Sequence, residues 1–217
     1  MLENDFLTNV KGFVFDLFKN KLPVQAVYHN FEHTTQVVEA VYEIATAKNI
    51  SDDDMEILLL AAWFHDTGFT KGFENHEEKS KIIADTYLSN KRVPKDKINK
   101  ILRLIDATKM PQNPTNKIEE IICDADLFHL GEENFKEKGN LLRRERENIA
   151  DKNITDIEWF EENVIFLSNH RYFSEYAFKK LNAQKRRNRM QIQKDLKMAI
   201  AKSEELELKA KTKDDLK

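Results

Sequence analysis

One cysteine, four prolines and five glycines in 217 residues are few, and each scarcity excludes something. A single thiol, Cys123, set inside an apolar run, leaves no disulfide framework and no cysteine-based zinc site, and it fits a reducing, cytoplasmic compartment. Few turn-forming residues and few alternating β-branched runs argue against sheets, so long helices and an all-α fold are expected. No stretch approaches the roughly 18–20 uninterrupted apolar residues of a membrane span. The opening MLENDFLTNV also lacks the basic-then-apolar order of a signal peptide. The chain as given is therefore expected to be soluble, with no membrane segment of its own.

With 41% hydrophobic residues, the chain has enough apolar material for one domain with a sizeable core, or one domain plus an appendage. The net charge of −3 conceals an asymmetry. Residues 179–217 carry 13 Lys+Arg against 6 Asp+Glu, a balance of +7, which leaves −10 for residues 1–178. Residues 1–178 therefore read as the domain and residues 179–217 as a basic C-terminal helix or linker. The basic stretch QKRRNRMQIQK lacks interleaved aromatics and base-reading motifs, so no specific nucleic-acid partner is expected. A helical linker or coiled-coil arm fits it better and leaves an oligomer open.

A helix is expected near residues 2–19, where Phe6, Val10, Phe13, Val14 and Leu17 recur at helical spacing, and a second carries YHNFEHTTQVV to about Lys48. Ser51 to Asp54 form a capping-type start with acids in the first turn. They launch MEILLLAAWFHD, which is apolar on nearly every side and so predicted to be buried. Further helices are expected near 76–90, 95–109, 116–130, 132–150 and 156–170. A long last helix runs from about Ser174 past Lys202, and KMPQNPTN is the clearest loop.

Three stretches carry chemistry. His29 and His33 stand four apart, which on a helix puts both on one face about 5–6 Å apart; two surface residues on an amphipathic helix is the plainer reading. His65 and Asp66 end the buried helix, where an ionised carboxylate is costly unless something pairs with it. A metal ion is the natural partner. In IICDADLFHLG, Asp124 and Asp126 lie at the margins of an apolar face, and periodicity does not choose between them. His129 points inward as well, where a core histidine satisfied by a backbone group is the common arrangement.

His33, the pair His65-Asp66 and Asp126, in this order and in these helical contexts, resemble the HD superfamily of metal-dependent phosphohydrolases over roughly residues 20–175. EHTTQVV is similar to that family's first-ligand helix, AAWFHDTGF to its His-Asp helix and CDADLFHLG to its last-ligand helix. The resemblance implies an HD-domain helical bundle in which His33, His65, Asp66 and Asp126 bind a divalent cation, and it selects Asp126 over Asp124. Two imidazoles and two carboxylates suit Mn, Fe, Mg, Ni or Zn without naming one. Such an ion would polarise a phosphoryl oxygen and lower the pKa of a bound water.

YHNFEH is also similar to the YHN-x-x-H stretch of cyclic-nucleotide phosphodiesterases. That likeness implies His29 as a general acid and a nucleotide or cyclic nucleotide as the small-molecule substrate; other branches place a metal ligand there. His76 resembles the histidine that binds an additional metal in some HD branches, with a solvated first-turn residue as the alternative. Where binuclear branches carry His-His, this chain has Thr108-Lys109, and Lys109 is expected to hold a substrate phosphate or simply to complement a helix C-terminus. His170 and Arg171 read as part of an interhelical seam, or as one edge of the pocket around a base, and Leu141 to Glu147 as a solvated face, with Arg143 or Arg144 as a phosphate contact in a second reading. The chain further resembles the soluble front half of bacterial proteins in which such a domain precedes a pair of membrane helices, including effectors of cyclic-nucleotide (Pycsar) antiphage systems, so a membrane segment beyond it is conceivable. The expected function is hydrolysis of a nucleotide phosphoester or phosphoanhydride. The alternative is a catalytically weak nucleotide sensor that signals through its last helix.

Overall fold

A computed structural model describes residues 5–214, which form nine α-helices and, among the described residues, no β-strand. The buried helix α3 (Asp52–Phe64) is the axis of the bundle. Its start is fixed by Ser51, whose hydroxyl accepts from the Asp54 N–H, and by three aspartates in the first turn. Every residue from Ile57 to Phe64 is buried. That is possible because α1 (Asp5–Lys21), α2 (Phe31–Ala47), α4 (His76–Asn90), α5 (Lys95–Ala107) and α6 (Lys117–Asp126) surround it. α1 offers Leu7, Val10, Val14 and Phe18 to this core, and α5 offers Ile98, Ile101, Leu104 and Ile105, both at helical spacing.

A second, smaller core of Leu130, Phe135, Leu167 and Ile192 joins α7 (Phe135–Ala150), α8 (Asp156–Asn169) and α9 (Glu175–Asp214). α8 opens with a capping box in which Thr155 and Glu158 satisfy each other's backbone N–H groups. α9 begins where Asp124 of α6 accepts the N–H groups of Phe173 at 2.8 Å and Ser174 at 2.7 Å. Ala177 and Leu181 reach the main core and Ile192 the smaller one, so the change in charge at residue 179 falls inside one continuous helix. Farther along, Met198, Leu206 and Leu208 are exposed. Among the described residues, no helix is long and apolar enough to cross a membrane.

The first helix is expected from residue 2, and residues 2–4 lie outside the described residues; two boundaries that differ from expectation bear on the site. α2 starts at Phe31 because the Asn30 side chain caps it, accepting from the N–H groups of Glu32 and His33. His29 therefore precedes the helix instead of lying one turn before His33 on it. α6 stops at Asp126, short of the expected residue 130, and the chain turns through a 3-10 segment, Phe128–Gly131. The turn ends in close packing: a Cβ on Gly131 would lie 2.5 Å from the Leu181 Cβ.

Candidate metal centre

The ends of three helices converge. His33 sits in the first turn of α2, His65 and Asp66 follow the last turn of α3, and Asp126 is the last residue of α6. The His33 Nε2 is 3.5 Å from Asp66 Oδ2 and 3.6 Å from Asp126 Oδ1. The His65 Nε2 is 3.1 Å from the same Asp66 oxygen and 3.6 Å from the same Asp126 oxygen. His33, His65 and Asp66 each offer a ligand atom within 4.8 Å of the others. Those atoms are buried, and His33 Nε2, His65 Nε2 and Asp66 Oδ2 have no hydrogen-bond partner. Buried polar atoms are almost always paired, and these share one space, which a cation of matching ligand chemistry fits.

The surroundings orient the set. His65 Nδ1 faces the Ala62 carbonyl at 2.7 Å. A carbonyl only accepts, so the ring carries its hydrogen there and turns its Nε2 lone pair toward the cluster. Burial opposes ionisation of Asp66 and Asp126, but His65 beside Asp66, and His33 and His65 beside Asp126, hold both carboxyls well below their usual range. Burial lowers His33. For His65, burial is outweighed by Asp66 and then Asp126, and its pKa is raised. The result is a buried site with two ionised carboxylates, the electrostatic complement of a divalent ion.

Around the cluster, His29 donates through its ring Nδ1 to Glu145 Oε1, while Glu145 Oε2 accepts the backbone N–H groups of Tyr28 at 2.8 Å and His29 at 3.0 Å. Burial disfavours the charged His29, yet the hydrogen bond to Glu145 and the nearby Asp66 outweigh it and raise its pKa. Phe69 packs against two imidazoles, its ring centroid 4.3 Å from that of His29 and 4.1 Å from that of His76, and the two imidazoles are themselves 6.2 Å apart. His76 Nε2 is 3.6 Å from Asp66 Oδ1, the oxygen turned away from His33 and His65. Gly68 makes this packing possible, since a Cβ there would lie 1.9 Å from the His76 carbonyl oxygen. Tyr28 packs at 4.7 Å on the His33 ring, and its hydroxyl is 3.2 Å from His129 Nδ1. Gln112 donates to Asp126 Oδ2 at 3.2 Å.

The structure thus brings together His29, His33, His65, Asp66, His76 and Asp126. The His29 and His33 rings remain 5.6 Å apart although only one is helical. Asp124 faces the start of α9 instead of the cluster. His129 meets the Asp126 backbone, the kind of partner expected, and also the Tyr28 hydroxyl. The 141–147 segment is not simply a solvated face: Glu145 is buried within it, and Arg143 reaches Asp156 and the Ile154 carbonyl. His170 sits at the α8–α9 junction, where its Nδ1 meets Lys185 Nζ at 3.1 Å. Lys109 is exposed past the end of α5 and lines a groove of about 770 Å³ with Lys81, Arg103 and Asp106; His33, His65, Asp66 and Asp126 do not line it.

Tyr28, Phe69, Gln112 and Glu145 were not expected from the sequence. Tyr28 and Phe69 stand next to or near motif histidines, which is a usable signal. Glu145 lies 116 residues from its partner in a run of charges and gives none.

Residues 30–131 match the family model described as HD domain. A crystal structure of a protein from Lactobacillus plantarum is similar in fold, with a TM-score of 0.65 at 15% identity, covering 93% of this chain and 98% of that one. No curated protein matches the sequence.

Proposed function

This chain is an HD-domain protein, and from that premise we propose that it is a divalent-metal-dependent phosphohydrolase acting on a nucleotide or cyclic nucleotide. The observation that carries the reading is the trio of buried, unpartnered atoms on His33, His65 and Asp66 that share one space. His33, His65, Asp66 and Asp126 would hold the ion. When bound, the ion supplies polarisation of a phosphoryl oxygen and a lowered pKa for water. His76, against the outer oxygen of Asp66, would serve a further ion.

The remaining steps belong to the chain's own groups. Glu145 accepts the hydrogen bond from the His29 Nδ1–H, which leaves Nε2 to carry the proton that a leaving oxygen needs. Its buried carboxylate favours the charged imidazolium. Phe69 covers the face of His29 with an apolar ring and excludes water from it. The choice of a nucleotide rests on the likeness of YHNFEH to cyclic-nucleotide phosphodiesterases. The test is direct. Purified protein with Mn²⁺ is expected to hydrolyse at least one member of a panel of cyclic nucleotides, nucleotides and dNTPs, and a chelator is expected to stop it. A chain that retains metal but turns over nothing in the panel would contradict the reading.

One observation favours a second reading, a nucleotide sensor with little turnover. Asp124, two residues before Asp126 on α6, caps the start of the 40-residue α9, so the site and the long helix share an element. Calorimetry separates the two. Tight nucleotide binding without product after prolonged incubation supports the sensor, and turnover with weak product affinity supports the enzyme.

A further inference from the structure

Beside the cluster, a small cavity is bounded by His33 and Asp126 on one side and by Gln36, Phe128, Glu132 and Lys138 among others. Lys138 is the single lysine or arginine in that lining. It projects from the start of α7 with its side chain only 12% exposed, and its Nζ donates to Glu132 Oε2 at 2.6 Å. Its charge reaches the site: after burial and His33, Lys138 is the next cause that holds His129 down at about 3. Glu132 pairs this ammonium and holds it at the edge of the cavity. Here it borders the same space as two of the residues that would hold the ion.

We propose that Lys138 binds a phosphoryl oxygen of the substrate beside the cluster, the role expected of Lys109, and that Glu132 holds the ammonium in place until a phosphate replaces it. The assignment rests on the phosphohydrolase reading and deepens it. An ammonium on a flexible stem suits a phosphate as a point charge. An oxyanion entering between Asp126 and Lys138 exchanges one carboxylate partner for a more highly charged one. The cavity is only about 20 Å³, room for a single oxygen atom, so the ligand class is a phosphoryl group that places one oxygen beside Lys138 and leaves the rest of the ester outside. Lys109 faces a groove that none of the four ligand candidates lines.

The test titrates inorganic phosphate into the Mn²⁺-loaded full chain by calorimetry, with metal content measured in each sample. Lys138→Met is expected to keep its metal and weaken phosphate binding about tenfold or more, with Lys109→Met within about twofold. Glu132→Gln is expected to tighten binding, because it removes the competing carboxylate, an effect that a merely structural lysine would not produce. On a substrate found in the panel, Lys138→Met should raise KM with little change in kcat. Wild-type phosphate affinity in metal-bearing Lys138→Met overturns the assignment and leaves the phosphohydrolase reading intact. Failure of the wild type to retain metal overturns that reading, and the assignment with it. If Lys138→Met does not fold, Glu132→Gln decides: unchanged affinity overturns the proposal.

Discussion

Glu145 of α7 holds His29 by three hydrogen bonds, one from the ring Nδ1 and two from the backbone N–H groups of Tyr28 and His29. A buried carboxylate with this partner set is a positioning device for the ring and raises its pKa. If His29 acts as a general acid, Glu145→Gln removes the negative charge while keeping the shape. The alkaline limb of the rate profile should then move to lower pH, because His29 loses its proton sooner. Metal content should be unchanged, and turnover of a poor-leaving-group substrate should fall about 10–10²-fold. An unmoved limb would leave Glu145 with a structural role only.

His29→Ala sharpens the same point. With a poor leaving group, turnover should drop about 10²–10⁴-fold at wild-type metal occupancy. With an activated leaving group, such as a nitrophenyl phosphodiester, the drop should be much smaller, since little protonation is needed. Equal losses on both substrates together with lost metal would make His29 a ligand.

Gly68→Ala tests the packing that sets Phe69 against His29 and His76. The new Cβ would meet the His76 carbonyl oxygen at 1.9 Å and the Ser80 N at 2.8 Å. Backbone cannot yield as a side-chain tip does, so a cost of about 1–3 kcal/mol is expected. Thermal unfolding should show a Tm lower by at least about 2 °C. An unchanged Tm would mean that the 3-10 turn Thr67–Lys71 shifts freely.

Acid sensitivity follows from His170. Burial, then the charge of Lys185, pushes its pKa down to about 3, so it stays neutral in the folded chain while the unfolded chain protonates below about 6.5. Its contribution is therefore complete above pH 6.5 and is lost as pH falls toward 3. Between pH 6.5 and 5 this amounts to a loss on the order of 1–2 kcal/mol. Denaturant unfolding across that range should show a shallower slope for His170→Gln. Parallel slopes would exclude His170 as a source.

Much of this architecture was legible in the sequence because its signals are local. The capping serine at 51 and the all-apolar run after it announce α3, and a buried His65-Asp66 pair at its end needs a partner whatever the rest of the chain does. Asp124 and Asp126 were not separable by periodicity, because both flank the same apolar face. They differ in what lies opposite, which is the start of α9 for one and two histidines for the other. His29 was placed on a helix that the Asn30 cap begins two residues later. Glu145 and Lys138 were illegible for one physical reason: a charged residue on a helix looks the same in sequence whether it faces water or a buried partner.

We take His33, His65, Asp66 and Asp126 to form one metal site, and metal analysis of ligand variants decides whether they do. Elemental analysis after Mn²⁺ loading and desalting should find stoichiometric metal in the wild type and none in His65→Ala or Asp66→Ala. The remaining ligands in those variants do not close a site, and both variants should retain the helical circular dichroism of the wild type. Stoichiometric metal in both folded variants would contradict the account.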